Sequence, residues 1–252
     1  MEKYNAICIR SVPWRESDRL LSLFTLEQGL VDCVVRGAMS PKSKWRFCAQ
    51  PFCFAEYVLT DKFGKKALSE ANQIDGFDGI RYDVDRLYCA SAVLEFIRQN
   101  VAENDSHYQL FLLTVKCLKA IETGAYPQIS MLKFFIEAVK TIGYDIDFSN
   151  CLSCGKVPID RVYYDFECAK PCCADCATAS MVEMRIETFN LLKAIASAPV
   201  DSFSSSDANT YNQVFSDKAS AINAVKFISY FLQVRINCKL KTLSEILDLM
   251  TK

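Results

Sequence analysis

Histidine is nearly absent from this chain: His107 is the single histidine among 252 residues. Catalytic triads, histidine-metal catalytic sites and most proton shuttles would all have to use this one residue. It follows Asn104-Asp105-Ser106, a polar run typical of the turn before a helix, which favours a solvated histidine over a catalytic base. Glycine is also scarce, with eight residues, and neither a GxxxxGK[ST] loop nor a GxGxxG loop occurs. We therefore predict no nucleotide cofactor and no ATP hydrolysis through the common loops.

Long hydrophobic runs and an excess of one charge are missing as well. No uncharged apolar run approaches the roughly 18–20 residues of a membrane span, and the N-terminus lacks the apolar segment of a signal peptide. The formal net charge is −1, which argues against a strongly basic protein that coats nucleic acid. Any contact with nucleic acid must then be a local patch. We expect a cytoplasmic protein with no membrane partner.

The first 80 residues have the pattern of short strands separated by turns. We predict strands over Asn5–Val12, Arg19–Thr25, Leu30–Arg36, Phe52–Thr60 and Ala67–Ile74, with a long loop from Gly37 to Phe47. Five short strands in about 75 residues suit a small closed barrel. An SH3-like barrel or a small sandwich fits this pattern nearly as well.

After Asp75-Gly76-Phe77-Asp78-Gly79 the apolar period becomes helical. Helices are predicted from about residue 84 to 101, and over 108–122, 129–142, 186–196, 218–236 and 243–250, with a serine-rich loop over Asp201–Asn209. The helix over 129–142 is apolar on more than one side and should be largely buried or partly covered by a partner. The predicted organisation is an N-terminal domain over 1–80 and a helical domain over 81–252, which contains a cysteine-rich element over 145–180.

Cysteine is unusually frequent, with thirteen residues. In a reducing compartment most of these thiols act as small hydrophobic side chains. Six of them stand singly in apolar stretches, and we expect them to pack in the core: Cys8, Cys33, Cys53, Cys89, Cys117 and Cys238.

The clustered cysteines form two CxxC pairs, Cys151/Cys154 and Cys173/Cys176, separated by eighteen residues. This spacing predicts a four-cysteine zinc site, in which each CxxC turn brings two sulfurs to one side of the ion. Four thiolates leave no open coordination position, so one structural Zn²⁺ is expected. Gly155 supplies a residue that tolerates the positive φ such turns often need.

Two neighbouring cysteines leave the ligand assignment open. Cys172 or Cys168 could replace a predicted ligand, although two matched CxxC turns are the commoner geometry. A thiol redox pair is a further alternative, but it needs a CxxC at a helix N-terminus, and nothing in the sequence clearly places one there.

A basic segment runs from Arg36 to Arg46 and contains no acidic residue. Its cations are Arg36, Lys42, Lys44 and Arg46, and Trp45 lies between the last two. Such a flexible loop suits single-stranded nucleic acid, because cations follow phosphates while a ring stacks on a base. The alternative is a solvated loop whose Trp45 packs on the barrel.

Several motifs occur together in one order. They are Glu16-Ser17-Asp18-Arg19-Leu20, Leu23-Phe24-Thr25, Gly29-Leu30, Arg36-Gly37-Ala38, Pro41-Lys42-Ser43, Gln50-Pro51-Phe52, Gly143-Tyr144 and the two CxxC pairs. Over roughly residues 1–180, and most specifically in the first 60, the chain resembles the bacterial RecO recombination mediator family. Two details depart from the family pattern: Met39-Ser40 replace further basic residues, and Ala169-Lys170 replace a glycine pair.

The resemblance implies an α+β protein, with a five-stranded OB-fold β-barrel followed by an α-helical domain that carries the inserted zinc element. It implies binding of single- and double-stranded DNA, annealing of complementary strands and, with the partner RecR, loading of RecA onto DNA covered by single-stranded DNA-binding protein. Arg19, Arg36, Lys42, Lys44 and Arg46 would then hold phosphates, and Trp45 would stack.

The resemblance also implies a groove for the acidic C-terminal tail of single-stranded DNA-binding protein. Lys133 stands where the family commonly has arginine, and Lys140 lies two helical turns further on nearly the same side. The alternative is that both lysines are solvated beside an ordinary core. The chain is thus predicted to be a DNA repair and recombination mediator and not an enzyme. The rival hypothesis is a zinc-stapled protein-interaction module without direct DNA binding.

Overall fold

The computed structural model describes residues 1–62, 64–199 and 217–251, so the serine-rich loop predicted over Asp201–Asn209 lies outside the described residues. The chain divides into two compact units, Met1–Glu122 and Thr123–Lys252. The first unit contains two helices in addition to the strands. The predicted domain division at residue 80 stays a prediction.

Five strands form a closed barrel in the first unit. They are β1 (Glu2–Trp14), β2 (Asp18–Thr25), β3 (Gly29–Val35), β4 (Phe54–Lys62) and β5 (Lys65–Asp75). The strand order around the barrel is β1-β2-β3-β5-β4, and all pairs are antiparallel except β3 with β5. That parallel pair has one bridge, between Val34 and Ala67. The predicted five-stranded OB-type barrel is confirmed.

The barrel interior follows from the alternation of side chains along its strands. In β3, Val31, Cys33 and Val35 are buried while Asp32 is exposed, as the period of two requires. Cys8, Cys48 and Cys53 belong to the same core cluster, and burial raises the pKa of Cys48 to about 12 and that of Cys53 to about 11. These thiols therefore pack as small apolar groups.

Several predicted strand ends differ from the observed ones by two or three residues, and two of these differences have a clear local cause. The first strand extends to Pro13 and Trp14, because these residues still pair with Arg19 and Asp18 of β2. The fourth strand begins at Phe54 and not at Phe52, since Phe52 has a φ of +74°, which no strand residue adopts.

Two α-helices complete the first unit, α1 (Val84–Asn100) and α2 (Tyr108–Thr123). The carboxylate of Asp83 accepts a hydrogen bond from the Arg86 N–H and caps α1. Phe111 of α2 lies 5.4 Å from the ring centroid of Phe24 and 5.8 Å from that of Phe54, so α2 packs on the barrel.

The second unit combines helices with a small sheet. Among its described residues, the helices are α3 (Pro127–Thr141), α4 (Ile186–Ser197), α5 (Lys218–Ile236) and α6 (Lys241–Thr251), and the strands are β6 (Val162–Asp165), β7 (Lys170–Cys173) and β8 (Val182–Met184). The sheet order is β7-β6-β8. All four helices agree with the predicted ones within the usual variation of helix ends. Most side chains of α3 are buried, as its apolar pattern predicted. Among the described residues, no helix is both long and apolar enough to cross a membrane.

Candidate metal centre and nucleic-acid interface

Two turns and one hairpin bring the four CxxC cysteines together. Cys151 and Cys154 occupy the turn before β6, Cys173 ends β7, and Cys176 closes the short 3-10 turn Ala174–Cys176. The N–H of Gly155 donates to the Cys151 carbonyl at 3.0 Å, with Gly155 at a φ of +71°. The chain therefore uses glycine where the first turn reverses, as the sequence predicts.

The geometry of the four sulfurs matches a tetrahedral site. The Sγ atoms of Cys151, Cys154, Cys173 and Cys176 all lie within 4.8 Å of one another. Those of Cys154 and Cys173 are 3.7 Å apart. Zn–S bonds of about 2.3 Å in a tetrahedron require sulfur separations of about 3.8 Å. The donor set and its spacing thus fit one zinc ion.

Electrostatics within this cluster favour a cation. Burial opposes ionisation of the Cys151 thiol, but backbone hydrogen bonds from Cys154, Cys173 and Ser153 lower its pKa to about 5. Hydrogen bonds with Cys173 and Cys154 raise the pKa of the Cys176 thiol to about 12. One thiol therefore ionises readily while its neighbour stays protonated, because the neighbour hydrogen-bonds to the other sulfurs of the cluster. A bound dication would let all four ionise.

The two alternative cysteines have different surroundings. Cys172 is buried, with its Sγ 3.5 Å from that of Cys151 and 3.8 Å from the Ser153 hydroxyl, and it does not belong to the four mutually close sulfurs. Cys168 is exposed in the turn between β6 and β7. The geometry therefore favours Cys173 as the ligand.

The basic segment between β3 and β4 is built from turns fixed to the barrel. The N–H of Gly37 donates to Asp18 Oδ1 and that of Met39 to the Ser17 carbonyl, both at 2.9 Å. Trp45 is partly buried and packs against the barrel core cluster. These backbone bonds anchor the segment to the barrel, and Trp45 packs on the barrel, as the alternative interpretation of this loop expected.

The cations of this segment remain on the surface. Arg36, Lys42, Lys44 and Arg46 are all exposed. Among the described residues, no carboxylate forms an ion pair with any of them. The Lys44 ammonium lies 4.3 Å from the centroid of the Trp45 ring. Four unpaired cations beside a ring are suited to phosphates and bases.

Arg19 lies at a groove next to this segment. Its Nε donates to the Ser11 hydroxyl at 2.6 Å, which fixes the guanidinium at the surface of β2. Arg19 and Arg46 line the groove, which has a volume of about 470 Å³. Five of the six residues assigned to DNA from the sequence therefore lie in or beside the turns between β3 and β4, and Arg19 faces them.

Sequence reasoning missed a second cleft on the barrel. It has a volume of about 380 Å³ and lies along β2 and β3, with Trp14, Lys65 and Lys66 at its edge. Trp14 is 37 % exposed, and the Lys65 ammonium lies 5.5 Å from its ring centroid. This face, between the β1–β2 turn and the start of β5, is where OB-folds bind oligonucleotides. The two turns are visible in the sequence, but only barrel closure brings their side chains together.

The two lysines assigned to a partner peptide differ in environment. Lys133 is 5 % exposed, and its Nζ donates to Glu137 at 2.8 Å and to the carbonyls of Ala196 and Ala198 at 3.1 and 2.7 Å. Two of its N–H donors are thus used at the C-terminal end of α4, and the third is used by Glu137 of its own helix α3. Lys140 is exposed, with Glu137 at 3.4 Å. A peptide role for either lysine stays a prediction.

Comparison with known proteins covers both parts of the chain. Residues 1–77 match the family "Recombination protein O N terminal", and residues 81–244 match "Recombination protein O C terminal". A protein of Desulforamulus reducens named DNA repair protein RecO is 33% identical over 70% of this chain and 69% of its own length. A protein of the same name from Clostridium novyi is 28% identical, over 76% of this chain and 75% of its own.

Proposed function

The chain belongs to the RecO family of DNA repair proteins, and from this premise we propose that it is a recombination mediator that binds single- and double-stranded DNA and anneals complementary strands. With RecR it would help load RecA onto DNA covered by single-stranded DNA-binding protein, in the cytoplasm. Its work would be binding and positioning of DNA and proteins, without a catalytic step of its own.

One observation carries the DNA-binding part of this proposal. The exposed cations Arg36, Lys42, Lys44 and Arg46 have no described acidic partner, although acidic residues are about as numerous as basic ones in the whole chain. Elsewhere on the barrel, Lys3 and Lys66 pair with glutamates. Cations without an acidic partner gain most from phosphates, since they give up no ion pair and release counterions from DNA.

Zn²⁺ would be a structural cofactor in this protein. The four cysteines of the cluster would hold the ion. The ion would cross-link the β6–β7 hairpin to the turn before it and would have no catalytic role. The proposal for DNA does not depend on this site.

The test is fluorescence anisotropy with labelled single-stranded DNA over a salt series. We expect the double substitution Lys42→Glu, Lys44→Glu to weaken binding and to reduce the salt slope by about one unit for each lost phosphate contact. The control is Lys239→Glu, Lys241→Glu, an equally spaced and exposed pair in the second unit; its melting temperature is measured as well, because both of these lysines have partners in the protein. The control should bind almost as the unmodified chain does.

Two outcomes would count against the proposal. If the unmodified chain binds DNA without salt dependence, or not at all, the rival hypothesis of a protein-interaction module is favoured. If both double variants lose affinity equally, net charge and not the basic segment determines binding. Annealing is tested separately, by energy transfer between two labelled complementary strands.

A further inference from the structure

A pocket of about 310 Å³ opens in the second unit between β8, α4 and α5. Its apolar wall is aromatic and includes Phe166, Phe227 and Tyr230. The ring centroid of Phe166 lies 4.8 Å from that of Tyr230 and 5.3 Å from that of Phe227. Tyr230 is nevertheless 49 % exposed, so part of this wall faces the open pocket. A volume of this size is at the lower end of small-ligand sites.

Three polar side chains that line the pocket have no hydrogen-bond partner among the described residues. Thr188 is 1 % exposed, yet its hydroxyl has no hydrogen-bond partner among the described residues. Within the described residues, neither the Asn223 amide nor the Lys226 ammonium has a hydrogen-bond or ion-pair partner. A buried hydroxyl without a partner costs stability, and native proteins seldom keep one unless a ligand or water satisfies it.

From this combination, we propose that the pocket binds one unstacked base of single-stranded DNA, with Lys226 on a neighbouring phosphate; this inference rests on the proposed function. A base has a flat face for the aromatic wall and a polar edge for the Asn223 amide, and for the Thr188 hydroxyl once that side chain turns toward the pocket. An aliphatic or phenyl side chain of a peptide would leave the hydroxyl and the amide unpaired, which makes a peptide the poorer occupant.

The rim of the pocket carries both acidic and basic side chains, and only one of the cations suits a DNA phosphate. Arg185 lines the pocket but pairs with Glu187 and Asp217, and Glu183 lies on the same rim. Lys226 is therefore the cation left for a phosphate. No side chain caps the first turn of α4, so its backbone N–H groups add partial positive charge beside Thr188. Specificity for a base comes from the aromatic wall and from the polar groups without partners.

The experiment is photocross-linking of the full chain to single-stranded DNA that contains 5-iodouracil, followed by peptide mass spectrometry. We expect a cross-link to Tyr230 or Phe166. The variant Tyr230→Ala should lose it and bind DNA roughly tenfold more weakly, as expected for one lost stacking contact. The control Tyr108→Ala removes a tyrosine of similar exposure, 54 %, outside the pocket and should change neither result.

A second variant separates ligand binding from folding. Thr188→Val keeps the shape of the side chain and removes the unpaired hydroxyl. It should raise the melting temperature, because a desolvated polar group is lost, and should still lower the cross-link yield. Lys226→Gln should reduce the salt slope by about one unit, whereas Thr188→Val should leave it unchanged.

The outcomes distinguish this inference from the proposed function. Cross-links confined to the barrel, with unchanged affinity of Thr188→Val and Tyr230→Ala, overturn the inference and leave DNA binding intact. Failure of the unmodified chain to bind DNA overturns the proposed function itself, and the inference with it. If these two variants lose affinity for an acidic peptide with an aromatic end but not for DNA, the pocket is a peptide site and the inference is wrong.

Discussion

Loss of the predicted zinc is the perturbation whose consequences can be worked out furthest. Cys154 and Cys168 are both exposed cysteines of the same element, but only Cys154 belongs to the four close sulfurs. Replacement of Cys154 by serine removes one corner of the tetrahedron, and with it the 3.7 Å contact with Cys173. Replacement of Cys168 by serine removes no member of it. Comparison of these two variants therefore tests which cysteine binds the ion, because both cysteines are exposed to solvent.

The size of the effect follows from mass action. If free zinc stands at about 1,000 times its dissociation constant, binding contributes about 4 kcal/mol to the folded state. The second unit has about 130 residues, and an unfolding entropy near 2.1 cal/mol/K per residue gives about 0.27 kcal/mol/K for that unit. Loss of the ion should then lower the melting temperature of this unit by about 15 °C.

The assay is elemental analysis of protein purified without chelators, together with calorimetric melting. The unmodified chain and Cys168→Ser should each contain one zinc and melt alike. Cys154→Ser should contain little zinc, and its second unit should melt earlier while the barrel is unaffected. The reasoning is refuted if the unmodified chain contains no zinc, or if Cys168→Ser loses the metal as Cys154→Ser does.

Four smaller predictions follow from single contacts. Gly155→Ala should lower the free energy of unfolding, measured with denaturant, by about 1 kcal/mol. The Cβ of the new alanine would meet nothing within 4 Å, so the positive φ is the only source of this cost. An unchanged free energy of unfolding would contradict the turn geometry. Lys133→Met should cost about 3 kcal/mol, since it leaves the carbonyls of Ala196 and Ala198 without their donor and Glu137 with the exposed Lys140 as its remaining cation; an unchanged unfolding midpoint would show that these bonds contribute nothing. Lys140→Glu, at an exposed position, should weaken binding of a fluorescent acidic tail peptide and lower stability by only about 0.5 kcal/mol, through the lost pair with Glu137; unchanged peptide binding would place that site elsewhere. Trp14→Ala should weaken single-stranded DNA binding by about 1–3 kcal/mol in anisotropy if the second barrel cleft stacks a base, and equal affinity would exclude stacking there.

The elements were predictable where one local pattern determined them. The alternation through Val31, Cys33 and Val35 marks β3 without any knowledge of its neighbours. The positions of the sulfurs in the two CxxC pairs are likewise determined locally, because each pair lies in one turn and the hairpin between the turns is short. These parts of the fold and of the candidate metal centre agree with the prediction.

Burial of an isolated charge was not predictable in the same way. The spacing of Lys133 and Lys140 places both on nearly one side of a helix, and the sequence offers no reason to treat them differently. Their environments diverge because α4 ends against Lys133 and not against Lys140. The acceptors, Ala196 and Ala198, are more than sixty residues away in the chain and are ordinary alanines whose backbone carbonyls alone take part.

The cleft at Trp14 and the pocket at Thr188 were missed for a related reason. Each is formed by side chains from separated elements, and none of these residues has a distinctive motif. A threonine in the first turn of a helix is ordinary in sequence. Its lack of a hydrogen-bond partner becomes visible only when the surrounding side chains are in place.

The single bridge between β3 and β5 makes the barrel wall uneven in strength. The other strand neighbours are joined by ladders of six or more residue pairs, whereas Val34 and Ala67 close the wall alone. Few backbone bonds must break for this seam to part, so we expect its amide protons to exchange with solvent faster than those of β1. The cleft with Trp14 and Lys65 runs along this seam. Its width can therefore change at little cost, which would let one surface accept both a thin single strand and the broader backbone of a duplex.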